Sequence, residues 1–421
     1  MDEWENLKLD DLGRIVTGKT PLTSVEGNFG GQIPFVTPSD MDGRKTISTT
    51  ARNLTEAGAA SVKGSKIPAG SVMVSCIGSD MGKAFIAGRD CVTNQQINSI
   101  IVNECFCNEF VYYNLSTRKD EIRHQAAGGS AQPILNKGDF SRLEITLPPL
   151  LIQKSIAKIL GDLDNKIELN RRMNATLEAM ARALFQSWFV DFDPVRAKMD
   201  GRKPVGMDEE TAKLFSDSFE ESEMGLIPKG WKVKTVGEIG EIICGKTPPT
   251  GVPDYYGDDV PFITIPDMHG NVFGASTARR LSHAGANSQA NKTLPPGSIC
   301  VSCIATPGLV VITSEKSQTN QQINSVIPHE ENETYFWYWV MTGLGAEIAS
   351  SGSGGSVLTN LSKGRFEMLN VIKPTHNLIA AYHSEVSPLF QNILANTHQS
   401  RTIATLRDTL LPKLLNGELR L

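Results

Sequence analysis

The chain has 421 residues, enough for about two or three domains, and no run of about 18 apolar residues, which excludes a transmembrane helix. Hydrophobic residues make up 40% and charged residues 21%, ordinary globular proportions that exclude an extended disordered or collagen-like chain. Net charge is −5, divided as −2 over residues 1–150, −3 over 151–227 and 0 over 228–421, so a nucleic-acid reading cannot rest on bulk charge. It needs local basic patches, or partners that supply most phosphate contacts.

In chain order, the first element is a tight turn at Gly18-Lys19-Thr20-Pro21. Short apolar runs punctuated by Gly and Pro follow, and Ile33 to Thr37, Ser71 to Ile77 and Gln96 to Val102 are predicted strands. Glu109 to His124 is a predicted helix. After Pro148-Pro149 the texture changes, with no Pro and a single Gly up to about residue 190. Ile152, Ile156, Ile159, Leu163 and Ile167, then Met173, Leu177, Met180 and Leu184, follow steps of three or four, as on a coiled-coil seam. Residues 193–227 form a linker with one short predicted helix near Glu209 to Phe219.

The chain then repeats itself. Gly245-Lys246-Thr247-Pro248 restates the first turn at an offset of 227, and residues 18–77 share 28 identities in 60 ungapped positions with 245–304. One residue is then lost: Thr93-Asn94-Gln95-Gln96-Ile97-Asn98-Ser99 returns as Thr319-Asn320-Gln321-Gln322-Ile323-Asn324-Ser325. The duplicated unit of about 150 residues is a whole domain, too long for a solenoid repeat. After Pro374 a second helical seam runs through Ile379, Tyr382, Val386, Leu389 and Ile393 to Ile403, Leu406 and Leu410. Pro388 inside it predicts a kink or a late start. Both seams have polar middles, Asn170 and Asn174 in one, Asn396 and Ser400 in the other, and a buried Asn there fixes register.

The expected fold is α+β. Two similar mixed α/β domains are joined by two long antiparallel coiled-coil helices with pseudo-two-fold symmetry. The divisions are 1–149 (first reading domain), 150–192 (spacer helix), 193–227 (linker), 228–375 (second reading domain) and 376–421 (C-terminal spacer helix). Each helix of roughly 40 residues spans roughly 60 Å. A duplicated domain on a rigid spacer suggests the measurement of distance, as dimeric repressors measure half-site separation.

No convincing catalytic set is present. Gly13 to Thr20 and Gly240 to Thr247 fit the pattern G-x-x-x-x-G-K-[ST]. A phosphate-binding loop needs a helix after the lysine, and Pro21 and Pro248-Pro249 follow instead. A turn presenting Lys19 and Lys246 to a DNA phosphate fits better. Cys300-Val-Ser-Cys303 is a lone pair, expected to be buried, and Asp191 and Asp193 beside Phe189 and Phe192 make a poor metal site. Seven scattered cysteines suggest reduced thiols in a cytoplasmic protein, and the acidic start Met1-Asp2-Glu3-Trp4-Glu5 is not expected to be a secretory signal.

Three segments carry a family resemblance. Ile167-Glu-Leu-Asn-Arg-Arg-Met-Asn174 leads into Leu177-Glu-Ala-Met-Ala-Arg-Ala-Leu-Phe-Gln-Ser-Trp-Phe-Val-Asp-Phe192 and Asp193-Pro194. This resembles the central region of specificity subunits of type I restriction–modification systems. Gly225-Leu-Ile-Pro-Lys-Gly-Trp231 resembles the entry to their second target-recognition domain, and Leu406 to Leu419 their C-terminal helix. The resemblance implies two target-recognition domains reading a bipartite double-stranded DNA site. It implies two methyltransferase subunits as partners, which bind S-adenosylmethionine and methylate adenine, with restriction (motor/nuclease) subunits as possible additions. It implies a non-catalytic chain with no cofactor or metal of its own. The likeness of the two domains further predicts related, inverted half-sites.

Positions shared by both copies are expected to be scaffold or phosphate contacts: Lys19 and Lys246, Thr20 and Thr247, Arg52 and Arg279, Lys137 and Lys363. Positions that differ are candidates for base reading, namely Arg44 and Lys45 against Asn271 and Val272, and Asp42 against His269, with Arg280 beside them. Gly/Ser-rich turns add Ser130 and Gln132 in the first copy and Ser353 and Ser356 in the second. The helices offer Leu177, Met180, Leu184, Trp188, Phe189, Leu406, Leu410 and Leu414 to partner subunits. The alternatives are a duplicated P-loop-like nucleotide-binding protein, separated by a nucleotide-binding assay, and a protein-binding scaffold, separated by the salt dependence of DNA binding.

Overall fold

A computed structural model describes residues 4–126, 134–351 and 361–419. It divides into two compact units, one of residues 1–169 with 402–421, the other of residues 170–401. Both are mixed α and β. Among the described residues no helix is long and apolar enough to cross a membrane.

The first unit holds a five-stranded sheet in the order Gly13–Thr17, Ile97–Val102, Val72–Ser75, Ala84–Ala87, Thr46–Ile47. The strands of a four-stranded sheet interleave with these in sequence: its order is Asn53–Leu54, Phe29–Val36, Cys91–Thr93, Lys66–Ile67. In the second unit Gly240–Cys244, Ile323–Pro328, Ile299–Ser302 and Val310–Ile312 repeat the larger sheet, and Arg280–Leu281, Tyr256–Ile263 and Gln318–Thr319 the smaller one. The registers repeat as well. Phe35 and Val36 pair in parallel with Val92 and Thr93, and Phe262 and Ile263 with Gln318 and Thr319. The three strands read from the sequence lie at Phe29–Val36, Val72–Ser75 and Ile97–Val102.

The helix expected from Glu109 to His124 is two helices, Asn108–Ser116 and Lys119–Ala126. Ser116 and Thr117 hydroxyls bond back to the carbonyls of Tyr113 and Asn114 and close the first of them. The linker carries a second helix that the sequence reading missed, Asp193–Met199. Pro194 reads as a breaker, but it sits in the first turn, where its missing N–H costs nothing. Phe192 precedes it with φ 55°, a strained left-handed residue held by ring contacts at 5.6 Å to both Phe219 and Trp231. Asp191 and Asp193 accept hydrogen bonds from Gln186 and Ser187 across this turn.

The long helices are Leu150–Phe189 and His376–Leu415, each of 40 residues. Their ends are themselves offset by 226, so each copy of the repeat continues into its own helix. Pro388 neither delays nor ends the second one, because Val386, Phe390 and Ile393 are buried around it and outweigh one lost hydrogen bond. In the second unit the helices run antiparallel: Asn170 bonds to Gln399 at 2.9 Å and Ser400 at 3.2 Å, Asn174 accepts from Asn396 at 2.9 Å, and Tyr382 donates to the Ala181 carbonyl at 3.1 Å. The polar middle therefore pairs with itself, as expected of a register-fixing site.

The buried side of the central helix departs from the predicted seam. Ile156 and Asn170 are buried as expected, but Leu160 and Ala181 face inward with them, whereas Ile159, Met173 and Met180 are exposed. At Asn170 and Ala181 a polar and a small residue let the two helices approach. On the second helix Leu406 is exposed and Arg407 turns inward.

Each domain packs on its own helix through a different contact. In the first unit Lys45 pairs with Glu109 at 2.7 Å and lies 4.9 Å from the Tyr113 ring centre. The Tyr113 hydroxyl donates to Asp164 at 2.6 Å, and Arg407 pairs with Asp164 at 2.7 Å. Burial and the Asp164 bond push the Tyr113 hydroxyl above its ordinary pKa. Burial opposes the Arg407 charge, but Asp164 and Asp408 prevail and raise its pKa. In the second unit the equivalent positions are Val272, Tyr335, Trp339, Phe390 and Ala181. Tyr335 stacks on Phe390 at 4.1 Å, and Trp339 lies 6.3 Å from it.

Candidate nucleic-acid interface

At the end of each parallel strand pair, a turn and a loop lock together. Gly18 N–H donates to the Ile97 carbonyl at 3.1 Å and Lys19 N–H to the Thr93 carbonyl at 2.9 Å. The Thr20 hydroxyl donates to Gln95 Oε1 at 2.7 Å. In the second copy Gly245, Lys246 and Thr247 make the same three bonds to Ile323, Thr319 and Gln321, at 3.1, 2.9 and 2.7 Å. A Cβ at Gly18 would fall 2.0 Å from the Asn94 oxygen, and one at Gly245 2.2 Å from that of Asn320, so only glycine permits this approach.

This geometry overturns the phosphate-loop reading. A strand precedes each lysine, but no helix follows, and the turn's amides are spent on protein carbonyls rather than aimed at a phosphate. Lys19 and Lys246 are exposed; Thr20 and Thr247 are half-buried beneath them.

A second shared device holds the neighbouring turn. Asp40 accepts from the Thr37 and Ala51 amides at 2.8 and 2.9 Å, and Asp267 accepts from Thr264 and Ala278, both at 2.8 Å. The residues that differ between the copies hang between these anchors. Arg44 pairs with Asp42 at 2.6 Å, and the Arg44 guanidinium holds the Asp42 carboxyl below the usual carboxylate range. His269 and Asn271 are exposed in the second copy, with the Asn271 amide donating to the Asp267 carbonyl.

Several expected contacts are otherwise engaged. Lys45 is tied to Glu109 and only 13% exposed, so it is a domain–helix contact rather than a base reader. Arg280 donates to the carbonyls of Asp258 and Asp259 and lies 3.6 Å from Glu315, which makes it a strand anchor. Arg52 and Arg279 are exposed, and Arg52 lies over the Phe29 ring at 4.1 Å. Lys137 and Lys363 are exposed at the first position of matching short helices, and Lys363 lies 3.4 Å from Glu367. Ser130, Gln132, Ser353 and Ser356 lie outside the described residues.

Of the apolar residues expected to meet partners, Trp188, Phe189 and Leu414 are buried in the cores of their own units and have no face to offer. Leu177, Leu184 and Leu410 are half-buried against those cores, while Met180 and Leu406 are exposed. Cys300 and Cys303 are buried in two different clusters, and burial pushes the Cys300 thiol up to about 12. Among the described residues no group of three or more His, Cys, Asp or Glu is placed to hold a metal ion. The residues missed from sequence are Gln95 and Gln321, although their tetrapeptide stands in both copies.

The comparisons agree with this geometry. Residues 1–179 and 228–378 match the type I restriction modification DNA specificity domain family. The HindI specificity subunit of Haemophilus influenzae is 33% identical over all of both chains. The MjaIX specificity subunit of Methanocaldococcus jannaschii is 28% identical, covering 99% of this chain and 94% of its own. The type I restriction–modification S subunit of M. genitalium shares the fold at a TM-score of 0.59, with 15% identity over 98% of this chain and 96% of its own. Two copies of one domain, each matching that family on its own, and full-length likeness to its curated subunits show that the chain belongs to the type I restriction–modification DNA specificity family.

Proposed function

We propose that this chain is the DNA-reading subunit of a type I restriction–modification complex, with each domain reading one part of a bipartite site. The observation that carries the reading is the pair of matched turn–loop locks, each presenting a lysine, next to a turn anchored by Asp40 or Asp267 whose residues differ between copies. Lys19 and Lys246 neutralise phosphate and set the domain on the duplex, which gives no sequence information. The turns around Arg44 and around His269 and Asn271 differ in charge and hydrogen-bonding groups, as readers of partly different bases should.

The chemistry belongs to partners. Two methyltransferase subunits hold S-adenosylmethionine and methylate adenine within the site, and restriction subunits join where the system has them. The near-neutral charge of the chain fits an assembly in which partners close around the DNA. On the second unit, Met173 and Met180 leave exposed apolar surface on the central helix for a partner to cover.

Genome-wide adenine-methylation mapping tests this, in cells expressing the chain with its methyltransferase subunit. A bipartite motif that disappears without this chain is the expected result. Assembly of the complex without any motif would refute the reading.

A further inference from the structure

We infer that Gln95 and Gln321 read bases directly, and that each recognises an adenine at the corresponding position of its half-site. The inference rests on the DNA-reading function proposed above and adds the residue and the base. Each glutamine is exposed at the tip of a loop whose neighbouring asparagine and second glutamine are hydrogen-bonded. Asn94 donates to Gln96 Oε1 and accepts from the Gln96 amide, and Asn320 and Gln322 repeat both bonds. The Gln96 carbonyl takes the Cys76 amide, and that of Gln322 takes Cys303. The loop is rigid, so the side chain at its tip is aimed rather than loose.

The threonine hydroxyl fixes the amide itself. It donates to Oε1 at 2.7 Å in both copies, which ties the amide to the neighbouring turn. Oε1 keeps one lone pair, and Nε2 bonds to no described residue. One fixed donor beside one remaining acceptor matches the major-groove edge of adenine, with N7 accepting and N6–H donating. Guanine presents two acceptors there and would leave Oε1 facing another oxygen. Setting the amide in advance lowers the ordering cost of binding. The shared exposed lysines nearest each glutamine, Lys19 and Lys246, are point charges that suit phosphate. The neighbouring turns differ between copies and cannot specify a base common to both half-sites.

The experiment is methylation mapping with the assembled complex carrying Gln95→Ala, Gln321→Ala or Gln95→Glu. Loss of the amide should relax one adenine position, by roughly tenfold in discrimination, in one half-site only, and each alanine variant should relax a different half-site. Gln95→Glu should move that position toward cytosine, whose N4 amine donates to a carboxylate. An unchanged bipartite motif in both alanine variants overturns the assignment and leaves the DNA-reading function standing. Uniform loss of methylation with no relaxed position also overturns it, in favour of a purely structural loop. A wild-type complex that yields no bipartite motif overturns both.

Discussion

The first domain meets its helix through charges, and the second meets its helix through rings, at positions that correspond one for one. Lys45, Glu109, Tyr113, Asp164 and Arg407 in the first unit stand where Val272, Tyr335, Trp339, Phe390 and Ala181 stand in the second. The strands that the two units share keep the same order, and the parallel pair the same register. The backbone thus tolerates either filling, as expected if a satisfied ionic network and an apolar cluster of similar volume are nearly equal in free energy. The two differ in how they fail. Phe390 is fully buried, and Phe390→Ala should cost about 3–5 kcal/mol through lost burial and a cavity. Asp164→Ala should cost about 3 kcal/mol, because it strands the Tyr113 hydroxyl and leaves the Arg407 guanidinium with Asp408 as its remaining carboxylate. Hydrogen exchange followed separately in each unit checks both values. High salt should weaken the first junction and spare the second. Equal salt responses would break the comparison.

A smaller effect is expected where the copies agree. Lys19→Ala and Lys246→Ala should each weaken DNA binding several-fold, uniformly across sequences. Each should make the slope of log affinity against log salt shallower by about 0.9, one phosphate contact. Titration of the complex at several salt concentrations measures this. A variant that changes base preference instead would move that lysine out of the phosphate-contact class.

Much of this organisation is legible in the sequence, because a duplication displays its scaffold. The glycine of each Gly-Lys-Thr-Pro turn and the Thr-Asn-Gln-Gln loop recur together because each turn must dock on its loop at backbone distance. The helical seam was less legible. Ile159, Met173 and Met180 look like seam residues by size, yet they are exposed, whereas Ala181 is buried where the helices approach closely enough for Tyr382 to bond its carbonyl. Lys45 was misread for a different reason. Its partner Glu109 lies 64 residues away, and no local pattern shows that a basic turn residue will be neutralised from another element. The domain–helix network was hidden in the same way: Tyr113 is 51 residues from Asp164, and Asp164 243 from Arg407.

The smallest expected effect concerns the turn that differs most between copies. Asp42 pairs with Arg44 in the first domain, whereas His269 and Asn271 hold the same positions in the second. With its carboxyl held low, Asp42 stays ionised at neutral pH and competes with DNA phosphate for the guanidinium. Exposed pairs of this kind are worth about 0.2–1 kcal/mol. Asp42→Asn should therefore tighten DNA binding by up to about fivefold and steepen its salt dependence, as one more cation turns to phosphate. His269→Asn at the equivalent position should change neither, because His269 holds no arginine back. Should Asp42→Asn loosen binding instead, the pair itself is what faces the bases, with Asp42 fixing the Arg44 guanidinium for a guanine edge.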